Sequence, residues 1–200
     1  MTNELWSPLA DVIRKAAQST VEGPAARLKK RFENAGPDRA VLCDCSGSMA
    51  DLVGSSGLSK YQHMVIALKD VLQSDPKIRL VAFASRAKAI PSPEELPNPM
   101  IGGALGSGTN LGDALLLAAR WKPRRTIVIS DGLPDSEDYA LQAVDKLTGA
   151  VDTIYCGPDA HPAIQFLRKL SRSAGGSSYR WDGYPHELTT IIRGLLPAPE

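Results

Sequence analysis

Ala40-Val41-Leu42-Cys43-Asp44-Cys45-Ser46-Gly47-Ser48 is the stretch on which the reading of the chain turns. Four apolar residues in a row have the character of a short strand buried on both faces. The run stops at an aspartate and passes into a turn of small polar residues. In a strand, Cys43 and Cys45 share one face and Asp44 takes the other. Downstream, helix and strand patterns alternate. Residues 59–72 form an amphipathic helix, with Met64, Val65, Leu68, Val71 and Leu72 on one face. Residues 78–84 are a strand with which 87–90 pairs, 112–120 an apolar helix and 126–129 a third buried strand. A helix at 136–147, a strand at 151–156, a helix at 162–173, a short strand at 178–181 and a final helix at 186–195 follow. This alternation predicts an α/β fold: a doubly wound, mostly parallel central sheet with helices on both faces.

Upstream, residues 4–34 predict two helical segments. Leu5, Leu9, Val12, Ile13 and Ala16 recur at helical spacing, Gly23-Pro24 punctuates the chain, and Ala25, Leu28 and Phe32 form a narrower stripe. Lys29, Lys30 and Arg31 are expected on a solvated face, a phosphate-binding patch being the sharper alternative. Asn34-Ala35-Gly36-Pro37 breaks the helix. The organisation expected is an N-terminal helical extension over 1–36 and an α/β domain over 37–200. Pro91 to Pro99, rich in proline, is expected as a stiff surface loop.

With 23 Lys and Arg against 22 Asp and Glu in 200 residues, the net charge is +1. That excludes a globally basic nucleic-acid binder and an acidic disordered tail protein. No window approaches the roughly 20 apolar residues of a membrane span. The N-terminus lacks a basic segment followed by a long apolar run, so no secretory signal and a cytoplasmic location are expected. Cys43, Cys45 and Cys156, an odd number, fit buried reduced thiols rather than a disulfide framework.

In such sheets ligands sit outside the carboxyl ends of the strands, so the residues just beyond each strand carry the chemistry. These are Asp44, Ser46 and Ser48 after the first strand, and Ser130-Asp131-Gly132 after the third buried one. Gly106-Ser107-Gly108-Thr109-Asn110 precedes the helix at 112–120. Two carboxylates and three hydroxyls suit a hard cation such as Mg2+, which takes oxygen ligands and keeps waters. Gly47 and Gly108 are expected to allow close backbone approach. The glycine run is no dinucleotide fingerprint, because Leu111 stands where its third glycine would fall. There is no phosphate-loop motif and no G-x-S-x-G nucleophile elbow. His63, His161 and His186 are expected as ordinary surface or half-buried histidines. Trp6, Trp121 and Trp181 are expected as packing anchors, Trp6 being the one placed to meet a partner.

The set Asp44-x-Ser46-x-Ser48, Thr109 and Asp131, in this order and after these strands, resembles the metal-ion-dependent adhesion site of the von Willebrand factor A domain family. The resemblance covers roughly residues 38–195. It implies that Asp44, Ser46, Ser48, Thr109 and Asp131 hold Mg2+, with Mn2+ or Ca2+ possible. The serines and the threonine would be the main hydroxyl ligands, and the aspartates would bind directly or through water. It further implies that a Glu or Asp of a partner protein completes the shell and that nothing is catalysed. Intracellular bacterial members of the family often accompany AAA+ ATPases or stress-response systems, so such a partner is one expectation. Members with an adjacent second metal carry two further acidic residues after the second serine. Here Asp51 is followed by Leu52, so the resemblance does not extend to that second site. The family also implies movement of the last helix, here 186–195, when metal coordination changes. The alternative is a Mg2+-dependent phosphatase or phosphotransferase of haloacid-dehalogenase type, which also places an Asp after its first strand. That family has a second acid two residues on, where this chain has Ser46.

Overall fold

The computed structural model of the chain describes residues 24–36, 38–101, 105–159 and 161–196. The first expected helix, with Leu5 to Ala16 and Trp6, lies outside them. The elements in order are α1 (Pro24–Glu33), β1 (Arg39–Asp44), α2 (Lys60–Ser74), β2 (Ile78–Phe83), β3 (Ala87–Ile90) and α3 (Leu111–Ala119). There follow β4 (Arg125–Ser130), α4 (Glu137–Val144), β5 (Ala150–Tyr155), α5 (Pro162–Ser173), β6 (Ser178–Arg180) and α6 (Pro185–Leu195).

The six strands form one sheet in the order β3-β2-β1-β4-β5-β6. Only the β2–β3 pairing is antiparallel. The parallel strands are long apolar runs because both of their faces are covered. The two-residue period sorts their side chains cleanly. Val41, Cys43 and Cys45 pack with Leu80, Ala82, Ile127 and Ile129 on the face covered by Met64, Leu68 and Val71 of α2 and Leu188 and Ile192 of α6. Ala40 and Leu42 pack with Val81, Phe83 and Val128 on the other face, under Leu115 of α3, Val144 of α4 and Phe166 and Leu170 of α5. The sheet is thus the middle layer of three, and the expected doubly wound α/β architecture is what forms.

Helix starts follow from capping chemistry. Ser59 and Gln62 close a capping box at α2, in which each side chain satisfies a backbone N–H that the helix leaves without a partner. Ser136 caps α4, and the His161 ring accepts from the Ala163 N–H to cap α5. Helix α4 ends at Val144, short of the expected 147, because Lys146 and Leu147 donate to Ala143 and Val144 in tighter three-residue turns. The proline-rich segment departs from a plain surface loop. It winds into two short 3-10 turns, buries Pro93 and Leu96, and accepts a 2.6 Å bond from the Tyr61 hydroxyl at the Leu96 carbonyl. Residues 29–31 also divide. Lys29 stays on the surface beside Glu33, whereas half-buried Arg31 donates to the Val144 carbonyl at the end of α4. His63 is buried rather than on the surface or half-buried, with its ring centroid 5.0 Å from that of Trp181 in an edge-on arrangement and Nε2 2.9 Å from the Ser56 hydroxyl. The three cysteines are buried free thiols.

Candidate metal centre

Along the sheet, the strand sequence runs outward in one direction from β1 and in the other from β4. The loops leaving these two neighbours diverge to opposite sides and open a crevice at their carboxyl ends. Asp44 is the last residue of β1, and Asp131 follows the last residue of β4. The alternation that puts Cys43 and Cys45 into the core leaves Asp44 at the crevice floor, completely buried.

The cluster is built by hydrogen bonds. One Asp44 oxygen accepts the Ser46 N–H at 2.8 Å, which bends the chain back over the strand end. The other accepts the Ser130 hydroxyl at 2.5 Å, tying the ends of β1 and β4 together. A 3-10 turn over Gly47–Ala50 follows, anchored by fully buried Met49. It brings the Ser46 and Ser48 hydroxyls to 3.3 Å from each other. Ser48 donates to Asp131 Oδ1 at 2.7 Å. Four of the five expected residues therefore stand in one connected group. Thr109 comes from the loop before α3, and its hydroxyl lies 4.0 Å from where a Cβ on Gly132 would stand. That loop is fixed by Asp135, which accepts the Thr109 N–H at 2.9 Å, and by the Gly108 N–H donating to Ser85 at 2.8 Å. Gly108 needs its missing side chain, since a Cβ would meet an Asp135 oxygen at 2.7 Å. At Gly47 a Cβ would meet nothing, so close approach is not why glycine stands there.

Burial pushes the Asp44 carboxyl up to about 6, against the lowering effect of the Ser130 and Ser46 bonds, and the nearby Asp131 charge adds to the rise. Two desolvated carboxylates beside one another are costly, and a cation between them relieves both costs. The oxygens of Asp44, Ser46, Ser48, Thr109 and Asp131 match the preference of Mg2+, Mn2+ and Ca2+. Burial holds the Cys43, Cys45 and Cys156 thiols well above their usual range, which makes them poor ligands. Among the described residues no three His, Cys, Asp or Glu side chains converge as a metal cluster. The set here depends on hydroxyls as well as carboxylates.

Two further neighbours join the cluster. One is Ser130, named from the sequence only as part of the turn with Asp131 and given no role there, which joins the two strand ends. The other is Lys60, whose side chain is 9% exposed and whose ammonium donates to Asp131 Oδ2 at 2.7 Å, to Asp51 Oδ2 at 3.1 Å and to the Ser48 carbonyl at 3.1 Å. Burial alone would lower its pKa, but Asp131 and then Asp51 outweigh this and raise it above the usual lysine value. A signal existed. Lys60 opens α2 with a positive charge at the helix end that disfavours one.

No protein-family model matches the sequence, and no curated protein sequence matches it. Solved structures do. BatB from Bacteroides thetaiotaomicron is 19% identical with a TM-score of 0.57, over 79% of this chain and 96% of its own. The von Willebrand factor type A protein from Catenulispora acidiphila is 19% identical with a TM-score of 0.62, over 80% of this chain and 42% of its own. The manganese-loaded TRAP protein of Plasmodium vivax is 18% identical with a TM-score of 0.54, over 81% of this chain and 74% of its own. None of them supports the phosphatase alternative. Among the described residues no helix is long and apolar enough to cross a membrane. The shared sheet and helix arrangement is the von Willebrand factor A type of fold, and this chain has it.

Proposed function

We propose that the chain is a divalent-metal-dependent protein-binding module. Asp44, Ser46, Ser48, Thr109 and Asp131 hold the ion. Mg2+ is the expected occupant, with Mn2+ or Ca2+ as substitutes. The observation that carries this is the convergence of Ser46, Ser48 and Asp131 above buried Asp44 at the sheet's switch point. Once bound, the ion supplies a positive point with an open position for an oxygen ligand, which a partner's Glu or Asp side chain fills.

The surroundings support docking rather than turnover. The Pro99–Ile101 turn packs against Gly47–Ala50 and leaves Met100 and Ile101 exposed beside the cluster. Leu52, two residues after the Gly47–Ala50 turn, is also exposed. Apolar groups around a single charged anchor suit a protein partner, since the rim excludes water from the anchor. We place the module in a cytoplasmic assembly, with an AAA+ ATPase or a stress-response system as the partner context.

The test is a pull-down from cell extract with the full chain in Mg2+, in EDTA, and with a Ser46→Ala variant in Mg2+. A partner retained by wild type in Mg2+ and lost under both other conditions is the expected outcome. A partner retained under all three contradicts the proposal.

A further inference from the structure

Lys60 occupies a cation position of its own beside the cluster. Three oxygens from three different places in the chain converge on its ammonium: Asp131 Oδ2, Asp51 Oδ2 and the Ser48 carbonyl. Such a convergence of two carboxylates and a carbonyl is a donor set that a cation would otherwise fill. Ser48 and Asp131 each serve two neighbours through different atoms. The Ser48 hydroxyl and Asp131 Oδ1 bond to each other on the side of Ser46, and the Ser48 carbonyl and Asp131 Oδ2 take the ammonium. The hydroxyl side stays available to a metal while the other side already holds a charge.

We infer that Lys60 is a built-in cation which replaces a second metal ion, limits the site to one divalent ion, and weakens the binding of that ion. This rests on the metal reading given above. Its physical basis is like-charge repulsion across a shared carboxylate in a region only slightly exposed to water. The gain falls on the partner's side. Asp44, Asp131 and Asp51 carry three negative charges, which Lys60 and one divalent ion together neutralise. An incoming carboxylate then meets no net anionic field. The lysine thus sets the trade between holding the metal tightly and accepting an acidic ligand.

The probe is Mn2+, titrated into the full chain while the free ion is followed by electron paramagnetic resonance, which gives both affinity and number bound. Wild type, Lys60→Met, Lys60→Gln and Lys60→Arg are compared, each checked for a cooperative melt. Wild type is expected to bind one ion. Lys60→Met and Lys60→Gln should bind the first ion tighter by about tenfold or more, the scale of removing one close like charge. Lys60→Arg, which keeps the charge, should stay near wild type. If Lys60→Met does not fold, Lys60→Gln and Lys60→Arg carry the comparison. Equal or weaker binding by the neutral variants, with wild type still binding, overturns the role of Lys60 and leaves the metal site standing. No binding by wild type or any variant overturns the metal reading itself, and this inference with it.

Discussion

At the scale of single residues, the two serines do different work although they lie two positions apart. Ser48 donates a 2.7 Å bond to a buried carboxylate, whereas the Ser46 hydroxyl makes a long 3.3 Å contact with Ser48 and shares Asp44 with its own backbone N–H. Ser48→Ala leaves Asp131 Oδ1 short of a donor in a place where water hardly reaches. It should cost about 1–3 kcal/mol in stability, the price of an unmade buried bond. Ser46→Ala should cost less than about 1 kcal/mol, because its backbone N–H still bonds to Asp44. Urea denaturation in EDTA checks the order, and equal losses would show that Ser48 does not hold Asp131. The same residues mark what was legible in the sequence. Asp44, Ser46, Ser48 and Asp131 announce themselves by spacing after apolar strands. Ser130 and Lys60 do not, because their partners lie 86 and 71 positions away in the chain. Only the odd placement of a lysine at a helix start hinted at the second.

At the scale of elements, strands and helices were legible almost throughout, since periodicity and capping residues are local properties. The misjudged stretches depend on contacts between elements. The Pro91 to Pro99 segment is pinned by Tyr61 of α2, and α4 stops early where its last carbonyl is taken by Arg31 of α1. His63, with no metal-ligand spacing to its name, is expected as an ordinary surface or half-buried histidine. In the fold it is the contact between α2 and Trp181, which packs in the same core face as Leu188 of α6. Burial lowers its pKa below the ordinary histidine value. The folded state therefore binds fewer protons than the unfolded chain just below the ordinary histidine pKa. Stability from this group is fully present above about 6.5 and declines as pH falls through that value towards the folded pKa. Urea midpoints measured from pH 7.5 down to 5.5 should fall more for wild type than for His63→Phe. Parallel profiles would mean that His63 takes up its proton in the folded protein as easily as in the unfolded one.

At the scale of the whole molecule, one sheet supplies both the stability and the site. Two buried faces hold β1 and β4 side by side, and the reversal of strand order between them opens the crevice in which Asp44, Ser46, Ser48 and Asp131 meet. The near-neutral total charge conceals this arrangement, because the acidic cluster is offset by Lys60 within and by basic residues elsewhere on the chain. The solved structures named above share this sheet and helix frame. Binding of a divalent ion by Asp44, Ser46, Ser48, Thr109 and Asp131 is what we propose. It is tested most directly by calorimetric titration of Mn2+ into wild type and Ser46→Ala at neutral pH, with a melt confirming that both are folded. Saturable binding of one ion by wild type is expected, with an affinity lower by about tenfold or more in the variant. Equal affinities in the two proteins, or no binding by wild type, would contradict it.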